Sequence, residues 1–186
     1  PTMLRFLIVG GGPVGLEKLE NLLRSSPQAE VRLVAPEIRP EIEAIAAANH
    51  QVQLTYAYFD LTHLDGIDVA ILAAGSRAVS GQIRQQIKAH SRVLVNVADT
   101  PDLCDFYMCS VVTKGDLKVG ISTNGKSPTL AKRFRELLED ILPDELPELL
   151  NNLRSYRDGL KGDFEYKVKA LNELTASMVA PRQEDE

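Results

Sequence analysis

Short apolar runs alternate with amphipathic stretches through the first hundred positions of the chain. Five such runs predict strands, at residues 4–9, 31–34, 52–59, 69–72 and 93–97. Apolar residues at helical spacing predict helices between them, at residues 16–23, 41–48 and 79–90. Strands that are apolar along nearly their whole length are typical of a parallel sheet covered on both faces. The pattern therefore predicts an α/β domain with a doubly wound, Rossmann-like parallel sheet.

The pattern changes after residue 105. Apolar runs at 111–113 and 117–123 flank Lys114-Gly115-Asp116, which is a hairpin signature. Ser127 and Pro128 then predict the start of a helix that runs to about residue 141, and two further helices follow, hinged at two glycines. We expect a Rossmann domain at 1–108, a hairpin-plus-helix element at 109–142 and a small helical C-terminal domain at 143–186.

Composition and charge exclude several classes of protein. The chain is 44% hydrophobic and 25% charged, and its 21 Lys and Arg against 26 Asp and Glu give a net charge of −5. Such a chain is ordinary for a globular protein and a poor candidate for binding nucleic acid. No apolar run is long enough for a membrane span, and the start lacks a signal-peptide profile, so we expect a cytoplasmic protein. The two cysteines and three histidines have no metal-ligand spacing, and we predict no metal site.

The glycine-rich segment after the first predicted strand is the strongest local motif. Gly10, Gly12 and Gly15 satisfy G-x-G-x-x-G, and Gly11, Pro13 and Val14 complete the segment. Such a loop allows a tight turn, a close approach of the backbone to a pyrophosphate, and a helix start whose N–H groups face the phosphates. An unspecialised glycine turn is the competing interpretation. The position between a strand and a helix favours dinucleotide binding.

The end of the second strand bears on the choice of cofactor. The strand ends at Ala35, Pro36 and Glu37, without a carboxylate at the position that usually binds the adenosine ribose. Glu37 lies slightly further on, where it either reaches the ribose or is a solvated loop charge. No arginine directly follows the strand to receive a 2′-phosphate, since Arg39 is the nearest, and NAD is therefore favoured over NADP.

Asp99 follows the fifth predicted strand, at the edge of the sheet where doubly wound proteins bind ligands. It would face the nicotinamide end of the cofactor. The competing interpretation is an aspartate that caps a turn before Pro101. The chain has neither a Walker A sequence nor a nucleophile elbow, which removes the common NTPase and hydrolase interpretations.

Several segments together resemble the dehydrogenases of the siroheme-synthase family. They are GGGPVGLEK at 10–18 with Leu22 and Leu23, VAP at 34–36, NVAD at 96–99, LCDF at 103–106 and ISTNGKSPTLA at 121–131. The likeness runs from about residue 7 to residue 143. The chain departs from the family at Gly15, where Ala is usual, and at Cys109, where Pro is usual.

The resemblance implies NAD⁺-dependent oxidation of precorrin-2 to sirohydrochlorin, which some members follow by inserting ferrous iron as a second substrate. It implies a homodimer built partly through the hairpin region. It also implies that Asp99 matches the catalytic aspartate, and that Pro13, Val14, Pro36 and Glu37 match positions that contact the cofactor.

The substrate of that family carries many carboxylates, whereas this chain is acidic. Local cations must then bind it, and a candidate set lies about the start of the fourth predicted helix: Lys126, Ser127, Lys132 and Arg133, with Arg135 nearby. A solvated helix face is the competing interpretation for these cations. An NAD(H)-sensing regulatory module is the alternative function, because Rossmann folds host both. Asp99 favours the enzyme, since a sensor needs no base at the reactive end of the cofactor.

Overall fold

A computed structural model describes residues 4–178 of the chain. Five parallel strands form one sheet in the order β3-β2-β1-β4-β5. The strands are β1 (Arg5–Val9), β2 (Glu30–Ala35), β3 (Val52–Tyr56), β4 (Val69–Leu72) and β5 (Leu94–Val97). This is the doubly wound order, with the switch point between β1 and β4, and it confirms the predicted Rossmann-like fold.

Helices cover both faces of this sheet: α1 (Pro13–Ser25), α2 (Pro40–Ala48) and α3 (Arg77–His90). Ile8 packs into a cluster with residues of α1 and α2, including Leu19 and Ile42. Leu7 and its neighbours on the opposite face pack into a second cluster with Ile87 of α3. Successive side chains of a strand point to opposite faces, so a strand that is apolar throughout serves both clusters.

The third strand is shorter than the predicted span of 52–59. The chain turns away after Tyr56, and the carboxylate of Asp60 accepts a 2.8 Å hydrogen bond from the N–H of Thr62 at the start of the 3₁₀ turn Leu61–Leu64. Tyr58, an apolar position of the predicted strand, is 81% exposed. The strand was predicted too long because Tyr58 and Phe59 continue the apolar pattern past Tyr56, where the strand itself ends.

Strands β6 (Ser110–Lys114) and β7 (Leu117–Ile121) form a separate two-stranded sheet. Gly115 lies in the turn between them with φ of +58°, a conformation that glycine adopts without steric cost. Helix α4 (Pro128–Ile141) follows, and the hydroxyl of Ser127 accepts a 3.2 Å hydrogen bond from the N–H of Leu130. Ser127 is therefore the N-cap of α4, as the sequence predicts.

The described chain ends with α5 (Leu146–Gly159), α6 (Phe164–Leu174) and the 3₁₀ turn Ala176–Met178. The described residues divide into two compact units, one of residues 4–111 with 120–136 and one of residues 112–119 with 137–178. In the second unit Lys114 pairs with Asp144. Residues 179–186 of the predicted C-terminal domain lie outside the described residues. No helix within residues 4–178 is both long enough and apolar enough to span a membrane.

Candidate functional site

Packing within the protein requires three glycines between the end of β1 and the first turn of α1. Gly10 has φ of +127°, and a Cβ atom built on it would stand 2.2 Å from the carbonyl oxygen of Ala73. A Cβ on Gly11 would stand 2.3 Å from the carbonyl oxygen of Glu37, and one on Gly15 would stand 2.0 Å from that of Gly10. Gly15 therefore allows the first turn of the helix to approach the loop itself.

Gly12 differs from the other three glycines. Its φ of −87° and ψ of −166° suit any residue, and apart from its chain neighbours no atom of the described residues lies within 4 Å of where its Cβ would stand. It is the N-cap of α1, and Pro13 follows at the first helical position. A helix start leaves N–H groups unpaired, and the dipole there attracts anions. The open space beside Gly12 fits the approach of a pyrophosphate.

The loop after β2 lies against the glycine loop. The N–H of Arg39 donates a 3.1 Å hydrogen bond to the carbonyl oxygen of Gly11. Ala35 is buried, while Pro36 and Glu37 are exposed beside the glycines. The guanidinium of Arg39 pairs with Glu41 at 2.6 Å. Glu37 therefore stands next to the glycine loop with its side chain in solvent.

The end of β4 joins the glycine loop to the loop that follows β5. The carbonyl oxygen of Ala73 faces Gly10, and the carbonyl oxygen of the preceding Leu72 accepts a 2.9 Å hydrogen bond from the N–H of Ala98. Of these two consecutive carbonyls, that of Ala73 contacts the glycine loop and that of Leu72 contacts the loop after β5. A ligand bound at the glycines and a side chain on the loop after β5 share this edge of the sheet.

Asp99 lies on that second loop in a strained conformation. Its φ is +54°, which is uncommon for a residue other than glycine, and it is exposed. The turn is held by Thr100, whose N–H donates to the carbonyl oxygen of Val97 at 3.2 Å and whose hydroxyl donates to that of Ala98 at 3.1 Å. Within residues 4–178 no hydrogen bond of the Asp99 carboxylate is found. The carboxylate is therefore not what fixes this turn.

Asp99 lines a cleft of about 860 Å³ within the first unit. One face of α1 forms one wall, with the half-buried Lys18 and Asn21 and the exposed Arg24. The loop after β5, residues 107–111, residues 121–125 and the first turns of α4 complete it. Ligand pockets of this volume enclose molecules of several rings.

Only some of the predicted substrate-binding residues line the cleft. Lys132 and the nearby Arg135 line it, but Lys126, Ser127 and Arg133 do not. The Ser127 hydroxyl caps α4, and Arg133 pairs with Glu136 at 2.7 Å.

Lys18 and Arg24 are candidates that sequence reasoning missed. The pattern of polar residues along α1 indicates a helix face that is not packed in the core. It does not indicate which loop that face meets.

A family described as "Putative NAD(P)-binding" matches residues 1–110, and one described as "Sirohaem biosynthesis protein central" matches residues 114–141. A siroheme synthase of Psychrobacter arcticus is 34% identical over 90% of this chain and 29% of its own length. One of Pseudoalteromonas translucida is 33% identical over 86% of this chain and 33% of its own length. The chain thus spans about a third of the length of these curated relatives.

The solved structure of SirC, precorrin-2 dehydrogenase, superposes on this chain with a TM-score of 0.67 and 24% sequence identity. It covers 92% of this chain, and this chain covers 84% of it. The two proteins share the fold.

Proposed function

The chain belongs to the NAD(P)-binding family whose model covers residues 1–110, and from this premise we propose that it oxidises precorrin-2 to sirohydrochlorin in siroheme biosynthesis, with NAD⁺ as hydride acceptor. The match of residues 114–141 to a sirohaem biosynthesis family supports the substrate class. The names of the relatives, siroheme synthase and precorrin-2 dehydrogenase, support the reaction.

The glycine loop supports the cofactor assignment. Bound NAD⁺ supplies the acceptor for a hydride. Gly12 leaves room for its pyrophosphate, and the N–H groups of Val14 and Gly15 at the helix start are available as donors to it. Glu37 would accept a hydrogen bond from the adenosine ribose and would repel a 2′-phosphate, which favours NAD⁺ over NADP⁺. The nearest guanidinium, that of Arg39, already pairs with Glu41, which also disfavours binding of a 2′-phosphate.

Asp99 is the observation that carries the proposed reaction. Oxidation of a reduced tetrapyrrole removes a hydride and a proton, so the protein must orient the ring and accept the proton. The Asp99 carboxylate has the role of base, and it faces a cleft large enough for a tetrapyrrole. A non-glycine residue held at φ of +54° indicates a side chain kept in place for function. Lys18, Arg24 and Lys132 line the cleft as partners for the carboxylates of the substrate.

Replacement of Asp99 tests this role. Asp99→Ala should lower the turnover of precorrin-2 by about 10²- to 10⁴-fold, which is the usual contribution of a general base. Asp99→Asn should be nearly as slow, because an amide cannot take a proton at neutral pH. NAD⁺ affinity should stay unchanged, because the glycine loop holds the phosphates. Asp102→Asn is the matched control, since Asp102 lies three residues away and pairs with Arg77 at the surface.

The assay follows the absorption of sirohydrochlorin after precorrin-2 and NAD⁺ are added to the purified protein, with the melting temperature of each variant measured alongside. Full activity in a folded Asp99→Ala would exclude the base. A wild-type protein that binds NAD⁺ but never yields sirohydrochlorin would contradict the proposed reaction and favour an NAD(H)-sensing module.

The same cuvette tests insertion of ferrous iron, which would make the ion a second substrate. Ferrous or cobaltous ion is added once the oxidation is complete. Replacement of the sirohydrochlorin spectrum by that of a metal complex, faster than in a protein-free control, would establish the second reaction. A rate equal to that control would limit the protein to oxidation.

We also propose that the protein is a homodimer assembled through the element at residues 109–142. In the chain this element follows the proposed Rossmann domain at 1–108 and precedes the proposed helical domain at 143–186. An isolated two-stranded sheet such as β6–β7 is marginally stable, and pairing with a second copy would cover its edge. A monomer by light scattering at micromolar concentration would contradict this assembly. The free thiols of Cys104 and Cys109 fit the reducing cytoplasm, which is the compartment that we propose.

A further inference from the structure

Strand β5 lies at the edge of the five-stranded sheet, and the outward side of its backbone needs partners. The N–H groups of Leu94 and Ala98 donate towards β4, to the carbonyl oxygens of Asp68 and Leu72. Since alternate residues of a strand face opposite sides, Val95 and Val97 direct their N–H and C=O groups outwards. A sixth strand would normally take these groups.

The segment at residues 104–106, here called the return segment, takes them instead. The N–H of Val95 donates to the Asp105 carboxylate at 2.9 Å, and the N–H of Asp105 donates to the carbonyl oxygen of Val95 at 2.8 Å. The Cys104 sulfur lies 3.2 Å from both the nitrogen and the oxygen of Val97. The buried amide of Asn96 donates to the carbonyl oxygen of Phe106 at 2.9 Å. Side chains thus complete the edge of the sheet.

The carboxylate of Asp105 is also tied to α3. Lys88 Nζ lies 2.7 Å from one of its oxygens, and the Arg84 guanidinium lies 3.2 Å from the other. Arg84 Nε donates to the carbonyl oxygen of Leu103 at 2.7 Å, which holds the preceding residues against the same helix. Burial raises the pKa of Asp105, but the hydrogen bonds from Lys88 and Val95 and the two positive charges outweigh it and hold the pKa below its usual value. The group is therefore a carboxylate at neutral pH.

From these contacts we infer that Asp105 is a positioning residue for Asp99, an inference that rests on the proposed function. Residues 98–105 form a loop closed at both ends, by the Ala98–Leu72 hydrogen bond and by the Asp105–Val95 pair. Asp99 stands within that loop at φ of +54°. Such a conformation persists only where the surrounding structure holds it, and the anchor at Asp105 closes the loop that holds it.

Asp105→Asn tests the inference with little change of shape. The amide oxygen can still accept from the N–H of Val95, but the variant cannot form ion pairs with Lys88 and Arg84. We expect kcat for precorrin-2 oxidation to fall by about 10- to 100-fold, the loss that a displaced reacting group produces. The Kd of NAD⁺ should not change. Asp102→Asn, which removes an ion pair from the same loop but not from its anchor, should keep the wild-type kcat.

A double-mutant cycle separates positioning from a general loss of structure. If Asp105 acts through Asp99, then Asp105→Asn should have little effect on kcat in a protein that already carries Asp99→Ala. Equal fold-losses in both backgrounds would overturn the inference. All variants are compared below their melting temperatures. If Asp105→Asn does not fold, Lys88→Met removes one charge and leaves the bond to Val95 in place.

Hydrogen exchange provides a measurement that needs no turnover. Amides of residues 98–105 should exchange faster in Asp105→Asn than in the wild type or in Asp102→Asn, while those of β1 and β4 keep their rates. Unchanged exchange at 98–105 would overturn the inference even if the wild type is active. Faster exchange in a wild type that cannot oxidise precorrin-2 would instead contradict the proposed function alone.

Discussion

Gly12→Asp is the sharpest test of the phosphate cradle, because binding and folding should respond to it differently. The backbone of Gly12 has angles that any residue adopts, and within residues 4–178 only its chain neighbours come within 4 Å of the position of the new Cβ. We therefore expect the free energy of unfolding to change by no more than about 0.5 kcal/mol, as for an ordinary surface substitution.

NAD⁺ affinity should fall steeply in the same variant. The new carboxylate stands where the pyrophosphate approaches, and two unit charges about 4 Å apart repel by roughly 4 kcal/mol at an effective dielectric constant near 20. Salt reduces this value, while the added negative charge also cancels part of the attraction of the helix start, worth about 0.3–1 kcal/mol. A net loss of at least about 3 kcal/mol corresponds to a rise in Kd of more than about 100-fold.

Titration calorimetry with NAD⁺ measures the affinity, and urea unfolding measures the stability. Gly159→Asp is a matched control, because Gly159 also has open space around its Cβ position and lies far along the chain in α5. It introduces the same charge and should keep the wild-type Kd. An unchanged Kd in a folded Gly12→Asp would refute the reasoning and reduce the glycine loop to a turn.

Three further predictions concern stability. Gly10→Ala should cost at least about 2 kcal/mol in urea unfolding, because its Cβ would meet the carbonyl of Ala73 at 2.2 Å from a left-handed backbone. Ser127→Ala should cost about 1 kcal/mol by the same measurement, whereas Ser76→Ala, at a helix start whose serine makes no capping hydrogen bond, should cost almost nothing. The lowered pKa of Asp105 means that its contribution is complete above the ordinary value of 3.8 and is lost as the pH falls through the folded-state value. Unfolding free energies measured from pH 7 to below 4 should therefore fall less steeply in Asp105→Asn than in the wild type, and equal slopes would contradict this.

The sheet could be predicted from sequence because a strand buried on both faces is apolar without interruption. The run at 69–72 is the clearest case, since all four residues of β4 are buried and its bounds match the prediction. The third strand was predicted too long because its limit depends on the cap by Asp60, a short-range polar contact that hydropathy does not register.

The candidate site could be predicted only in part. The motif located the glycine loop, but the packing that requires Gly10, Gly11 and Gly15 involves contacts with Ala73, Glu37 and the loop itself. The cations about the start of α4 were grouped by their nearness in sequence, but only Lys132 and Arg135 line the cleft, while Lys126 and Arg133 do not. Cys104 and Asp105 had no role beyond a family likeness, because their partners on β5 become visible only when the chain folds back.

The covered edge of β5 also bears on how the protein avoids aggregation through an open strand edge. An open strand edge is a template to which another chain can add a strand, and such edges promote aggregation. A fragment that ends at residue 99 would contain the whole five-stranded sheet yet expose the outward N–H and C=O groups of Val95 and Val97. The residues just beyond the sheet thus protect its edge from pairing with another chain. The smallest fragment expected to remain free of aggregation extends through Phe106.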